Sequence, residues 1–299
     1  MDAELGARLA AESPEQTVFR LHRNKRIFDQ VAVQQSRLLL ARARAAQPDI
    51  WINPQPLVTV RITTYNRPRL LVERAIASVL RQTYQNFEIL VVGDHAVPET
   101  AAALAAVGDP RIRYFNLPER ARYPRFPRYF WSSAGALASI WSFDLCRGEW
   151  VTNLDDDDEY PADHIEVLLN AARTARAEFV FGVSEYEKAD GSWIKIGRFA
   201  WGQICSGSVM FSARLLQVRP EQFSWVNDEP GDWNMWRRMS EAGAVIGFVN
   251  HVVFRHFAEK SSAGATAADR KRLDEQKATP QEILDDVAYA GASHYLSLE

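Results

Sequence analysis

Residues 58–94 read VTVRITTYNRPRLLVERAIASVLRQTYQNFEILVVGD, and their texture decides the fold. Val58–Thr63 and Phe87–Val92 are short runs rich in β-branched residues, and Arg69–Arg81 between them has the length of a helix. A strand, a helix and a second strand in that order form a βαβ unit, with parallel strands in a sheet covered on both faces. The alternation continues outward through helix Glu99–Ala106, strand Ile112–Phe115, helix 134–146, strand Glu149–Leu154 and helix Asp163–Ala175. After strand Phe179–Val183 it loosens. Hairpin strands are expected at Trp193–Phe199 and Ser208–Phe211, then a helix at Trp233–Ala242 and a strand at Val245–Val249. The expected fold class is α/β, a Rossmann-like, mostly parallel central sheet with a mixed second half.

The flanks differ in character. Residues 15–46 lack Pro and Gly and scatter Val18, Leu21, Phe28, Val31, Leu38 and Leu39 among arginines and glutamines, which predicts one or two amphipathic helices. This divides the chain into a helical extension at 1–50, a main domain at 51–260 and a mobile tail with short helices at 261–299. The extension is the expected place for homo-oligomer contacts. A net charge of −3 in 299 residues gives no global attraction to nucleic acid. Only Cys146 and Cys205 are present, which excludes a disulfide scaffold or structural zinc site. There is no leader-like start and no apolar run of membrane-spanning length, so the expected location is cytoplasmic, with a peripheral membrane position also open.

In open parallel sheets, ligands bind beyond the carboxyl ends of the strands. Those ends read Thr63-Thr64-Tyr65-Asn66-Arg67-Pro68, Gly93-Asp94-His95 and Asp155-Asp156-Asp157-Asp158-Glu159. None is a glycine-rich phosphate loop. Four consecutive aspartates after an apolar strand repel one another unless a cation sits among them, and their oxygens suit Mg²⁺ or Mn²⁺. The alternative is a solvated acidic turn before the helix near Asp163.

With these motifs in order, residues 57–170 resemble the donor-binding half of inverting glycosyltransferase family 2, whose fold is GT-A. The segments carrying the likeness are the stretch quoted above, DPRIRYF and RGEWVTNLDDDDEYPADHIEVL; it returns at NDEPGDWNMWRRM. The resemblance implies a metal-dependent transfer of sugar from a nucleotide diphosphate sugar, with a uridine donor first, to an acceptor hydroxyl. The acceptor would be a glycan, a lipid-linked molecule or a small molecule. It implies that Thr63, Tyr65 and Asp94 contact the base or ribose. The family's Asp-x-Asp motif falls on Asp155, Asp156 and Asp157, with Asp155 and Asp156 in the nucleotide site and Asp157 on the metal. A register shifted by one selects Asp156 and Asp158 instead. His256 in FRHF resembles the histidine that completes such a metal site; a packed core histidine is the other reading. Asp232 matches the family's catalytic base, Gly231 replacing the acid that usually precedes it.

Two departures stand out. Ser139 and Ile140 occupy the place where the family usually carries an Arg-Asn pair. The loop 118–131, PERARYPRFPRYFW, interleaves arginines with aromatics, so Arg122, Arg125 or Arg128 either grips an anionic group or is solvated. The rival classes are a degenerate nucleotide-sugar-binding scaffold, which Gly231 favours, and a sugar nucleotidyltransferase, which lacks its glycine-rich loop here.

Overall fold

The computed structural model describes residues 12–188, 190–258 and 277–297. Helix α1 (Pro14–Ala46) is a single element of 33 residues. Ser13 starts it with a reciprocal cap: its hydroxyl accepts from the Gln16 amide while the Gln16 side chain accepts from the Ser13 amide. Pro14 at the first helical position suits that start.

The strands are β1 (Val58–Thr64), β2 (Phe87–Gly93), β3 (Ile112–Asn116), β4 (Trp150–Asp155), β5 (Phe179–Glu187), β6 (Trp193–Ile196), β7 (Val209–Ser212) and β8 (Ile246–His256). They form one sheet in the order β3-β2-β1-β4-β7-β5-β6, with β8 also paired to β5. Strands β1 to β4 are mutually parallel where they pair, and β7 runs antiparallel between β4 and β5. The expected α/β class with a mixed second half is the one found. Strands β1 and β2 are buried almost throughout: β2 (FEILVVG) is a nearly continuous apolar run, while in β1 (VTVRITT) the apolar residues alternate with Thr59 and Arg61. The helices are α2 (68–80, its middle turns Leu71–Ile76 wound as π-helix), α3 (Glu99–Val107), α4 (Pro127–Ser133), α5 (Ala136–Leu145), α6 (His164–Ala175), α7 (Gly231–Glu241) and α8 (Pro280–Ala290).

Three elements differ from the sequence reading. The expected helix 134–146 is preceded by a separate helix, α4, and starts only after a break at Ala134–Gly135. Gly135 has φ 74° there and faces Thr63 across 3.7 Å at its would-be Cβ, which a side chain could not do without strain. Strand β8 runs on to His256 instead of ending at Val249. Its register against β5 slips between Gly182 and Ser184, so the polar pair Asn250-His251 bulges out and the ladder resumes at Val252. In the expected tail, residues 261–276 lie outside the described residues. Residues 277–297 carry α8, whose Ile283, Val287 and Ala290 are buried against Leu21 and Trp225.

Helix α1 is tied to the domain by charge as well as apolar contact. The ammonium of Lys25, fully buried, contacts Asp29 at 2.5 Å and Glu221 at 2.9 Å, and Asp29 also meets Arg237 of α7 at 3.3 Å. Among the described residues no helix is long and apolar enough to cross a membrane. Lys25→Met leaves two acids short of their cation, so unfolding in urea is expected to show a loss of about 3–5 kcal/mol.

Candidate active site

The carboxyl ends of β1, β2 and β4 meet side by side, with Thr64 opposite Gly93 and Thr63 opposite Asp155. Beyond them lies a cleft of about 550 Å³. Its floor includes Arg61, Thr63, Asn153 and Asp155; its walls come from the α4–α5 junction, the 202–206 loop, β6 and the start of α7. Asp155, Asp232 and His256 therefore face one space from three distant parts of the chain.

The chain turns directly after Asp155, where the Asp158 amide reaches back to the Asp155 carbonyl at 3.3 Å. Strand alternation thus stops before the acidic run ends, and each aspartate finds its own surroundings. Asp156 turns inward and accepts the Thr64 hydroxyl at 2.7 Å. Asp157 pairs with Arg67, and its carbonyl accepts from Arg74 at 2.5 Å. Asp158 is fully buried; one oxygen meets His256 Nδ1 at 2.9 Å and the other accepts the Phe257 amide at 3.0 Å. The carboxylates of Asp156 and Asp158 are thus committed inside the protein.

Burial pushes Asp155 well above the usual carboxylate range, and the charges of Asp158, Asp157, Asp156 and Asp232 add to it. Burial, then Asp157, raises Asp156 to about 6. Asp157 is raised by burial and by Asp158, against the opposing pull of Arg67 and His256. A divalent cation relieves such crowding. Among the described residues, no three acidic, histidine or cysteine side chains form a ready cage. The donor set fits a cation held by one or two protein groups, the remaining positions falling to phosphate oxygens and water, as Mg²⁺ and Mn²⁺ accept.

Of the three acids around α7, Asp228 pairs with Arg128, and Glu229 accepts from Asn234 and Arg237 at 2.7 and 2.8 Å. Asp232 is the one that lines the cleft. Pro230 precedes the helix, so Asp232 lies in its first turn and not at the capping position, its Oδ1 accepting the Trp233 amide at 2.7 Å. Burial raises its carboxyl to about 6. An added Cβ at Gly231 would meet its neighbours no closer than 3.7 Å, so packing does not exclude an acid there.

At the other end, Asp94 Oδ2 accepts from Tyr123 at 2.8 Å and from Arg120 at 3.2 Å, while its buried Oδ1 has no hydrogen-bond partner. The Arg120 guanidinium lies 3.8 Å from the centre of the Tyr65 ring. Tyr65, Asp94, Asp156 and Asp157 stand behind the strand ends, outside the lining of the main cleft. From the arginine-rich loop, Arg125 stacks on Tyr289 and Arg128 is paired with Asp228. Arg120, which the sequence reading missed, is the one that reaches Asp94. Its only signal was membership of that loop.

The sequence pattern of Glycosyl transferase family 2 matches residues 59–125 and 131–226, over half of the chain. The chain belongs to this family. Among curated family relatives, the succinoglycan biosynthesis protein ExoO of Rhizobium meliloti is 32% identical over 145 residues, covering 48% of this chain and 38% of the relative. The GalNAc(5)-diNAcBac-PP-undecaprenol beta-1,3-glucosyltransferase of Campylobacter jejuni is 31% identical over 135 residues, covering 44% and 40%. The chain thus spans about two fifths of the length of these relatives. Among solved structures, S. aureus TarS 1-349 in complex with UDP-GlcNAc superposes with TM-score 0.54 at 12% identity, covering 81% of this chain and 68% of that one. The mannosyltransferase PcManGT of Pyrobaculum calidifontis, in complex with GDP-Man and Mn²⁺, gives 0.50 at 18% identity, covering 93% and 82%. Both share the fold.

If crowding among the aspartates is the dominant local cost, Asp155→Asn is expected to stabilise the protein in chelator at neutral pH by about 1 kcal/mol. Chemical denaturation measures this, and a loss of stability would show that the Asp155 carboxylate is held favourably.

Proposed function

We propose that this chain is an inverting glycosyltransferase that moves a sugar from a nucleoside diphosphate sugar, uridine first, to an acceptor hydroxyl with a divalent cation. The observation that carries this is Asp232 lining the same cleft as Asp155 and His256. An acid for the acceptor and an acidic, histidine-edged corner for the diphosphate end thus share one space.

The orphan Oδ1 of Asp94 is a hydrogen-bond acceptor in want of a donor, and the neighbouring Arg120 offers N–H groups. That pattern suits a base presenting an N–H beside a carbonyl, as uracil, thymine and guanine do and cytosine and adenine do not. One fold neighbour is solved with UDP-GlcNAc and another with GDP-Man, in line with that readout. Thr63 and Asp155 flank the ribose and the start of the diphosphate.

Asp157 and His256 would hold Mn²⁺ or Mg²⁺; with Nδ1 on Asp158, the imidazole would use Nε2. When bound, the cation offsets charge growing on the departing diphosphate. Asp232 takes the proton of the acceptor hydroxyl, whose oxygen attacks the anomeric carbon on the face opposite the diphosphate, inverting it. The acceptor is proposed to be a glycan, with a lipid-linked one tested first because the Campylobacter relative is named for an undecaprenol-linked substrate.

Calorimetric titration of UDP is expected to show binding with Mn²⁺ and none with chelator, and Asp157→Ala should abolish it. Absence of UDP, GDP and dTDP binding would instead favour a degenerate scaffold. Asp232→Asn should bind donor almost normally while transfer falls about 10²–10⁴-fold; normal turnover would remove Asp232 from the base role. Because the base acts ionised, kcat/KM should rise with pH through about 6 and level off above it.

A further inference from the structure

Arg61 is an arginine in the middle of a central, buried strand, with 4% of its surface exposed. Its guanidinium donates to Ser142 Oγ at 2.7 Å, Asn153 Oδ1 at 2.6 Å, and the carbonyl and hydroxyl of Ser139 at 3.0 and 2.8 Å. All four acceptors are neutral, and the flat face lies over Phe143 at 4.3 Å. Lys25 contacts Asp29 and Glu221, and Arg214 contacts Glu178; Arg238 also donates to neutral acceptors, Asn234 and the Arg219 carbonyl, but feels the charges of Asp29 and Glu221. Among the described residues no carboxylate pairs with Arg61. The titratable groups that act on it are Cys146 and Tyr160, a thiol and a phenol that are uncharged at neutral pH. A buried charge without a counter-charge is costly, and an arriving anion recovers that cost.

Arg61 also lines the cleft, which places this charge within reach of a ligand. In the pairing of β1 with β4, Thr63 stands opposite Asp155 and Arg61 opposite Asn153. Residues two apart share a face of a strand, so the Arg61–Asn153 pair lies about 7 Å further in than the Thr63–Asp155 pair. The diphosphate belongs at the outer level with Asp155 and Asp157, and the sugar is the part of the donor left to reach the inner one. Of the five N–H groups of a guanidinium, four serve the protein's own acceptors, leaving one on Nη1. Ser139 is small enough to admit the side chain arriving from β1.

We propose that the donor sugar is acidic, a hexuronate whose carboxylate pairs with Arg61 at the floor of the cleft. This rests on the sugar-transfer reading above. A neutral hexose would leave the guanidinium uncompensated, whereas a carboxylate makes a charge-assisted bond in a site shielded from water.

The test is calorimetric titration of UDP, UDP-glucose and UDP-glucuronate into the full chain with Mn²⁺, then into Arg61→Lys and Arg61→Gln. Wild type is expected to bind UDP-glucuronate about tenfold or more tightly than UDP-glucose. Arg61→Gln should bring that ratio near one, and Arg61→Lys should keep part of it. If wild type binds UDP normally but shows no preference for the acidic sugar, the proposal is overturned and the donor-site reading stands; this arm needs no variant to fold. If Arg61→Gln weakens the three ligands by one common factor, Arg61 is structural and the proposal again fails. If UDP itself does not bind, the donor-site reading falls and takes the proposal with it.

Discussion

Negative charge crowded into a nearly dry corner is the constraint around which this molecule is arranged. Asp155 ends β4, three more aspartates follow it directly, and Asp232 approaches from α7. The fold disperses the crowding by sending each carboxylate elsewhere. Thr64 takes Asp156, Arg67 takes Asp157, and the end of β8 takes Asp158 through a ring nitrogen and a backbone amide. Asp155 is left facing the cleft, its carboxyl held well above the usual range by burial and by the charges of its neighbours. The length of β8 is part of the same solution, since it brings His256 at its end and Phe257 just beyond to Asp158.

Much of the architecture was legible because parallel strands buried on both faces announce themselves as apolar runs between helix-length segments. The strand ends carried Thr63, Asp94 and Asp155 for the same reason: they follow such runs immediately. What stayed hidden depended on contacts far apart in sequence. The full extent of β8 was masked by a bulge that puts two polar residues inside a strand, a break in periodicity that only pairing with β5 explains. In the acidic run the chain turns at Asp156, so local geometry and not the period-two rule of a strand decides where each aspartate points. Arg120 could not be told from its neighbours Arg122, Arg125 and Arg128, because which arginine meets Asp94 is decided by the fold of the loop. Arg61 did carry a signal, a cation inside VTVRITT, but strand composition alone does not say whether such a charge is satisfied.

Helix α1 and the segment around α8 have a structural role in holding α7. Asp29 contacts Arg237 and Asn234 of α7, Lys25 bridges Asp29 to Glu221, and the Tyr295 hydroxyl donates to Glu221. Glu221 also lines the cleft. The side chains that set the tilt of α7, and with it the position of Asp232, therefore come from both ends of the described chain.

That arrangement sets an order of assembly. The Asn24 side chain donates to the Tyr295 carbonyl across 271 positions of sequence. During synthesis, strands β1 to β4 can pair as soon as they emerge, while the brace on α7 must wait until Tyr295 has been made. A nascent chain can thus complete its parallel half-sheet well before the cleft wall bearing Asp232 is locked in place.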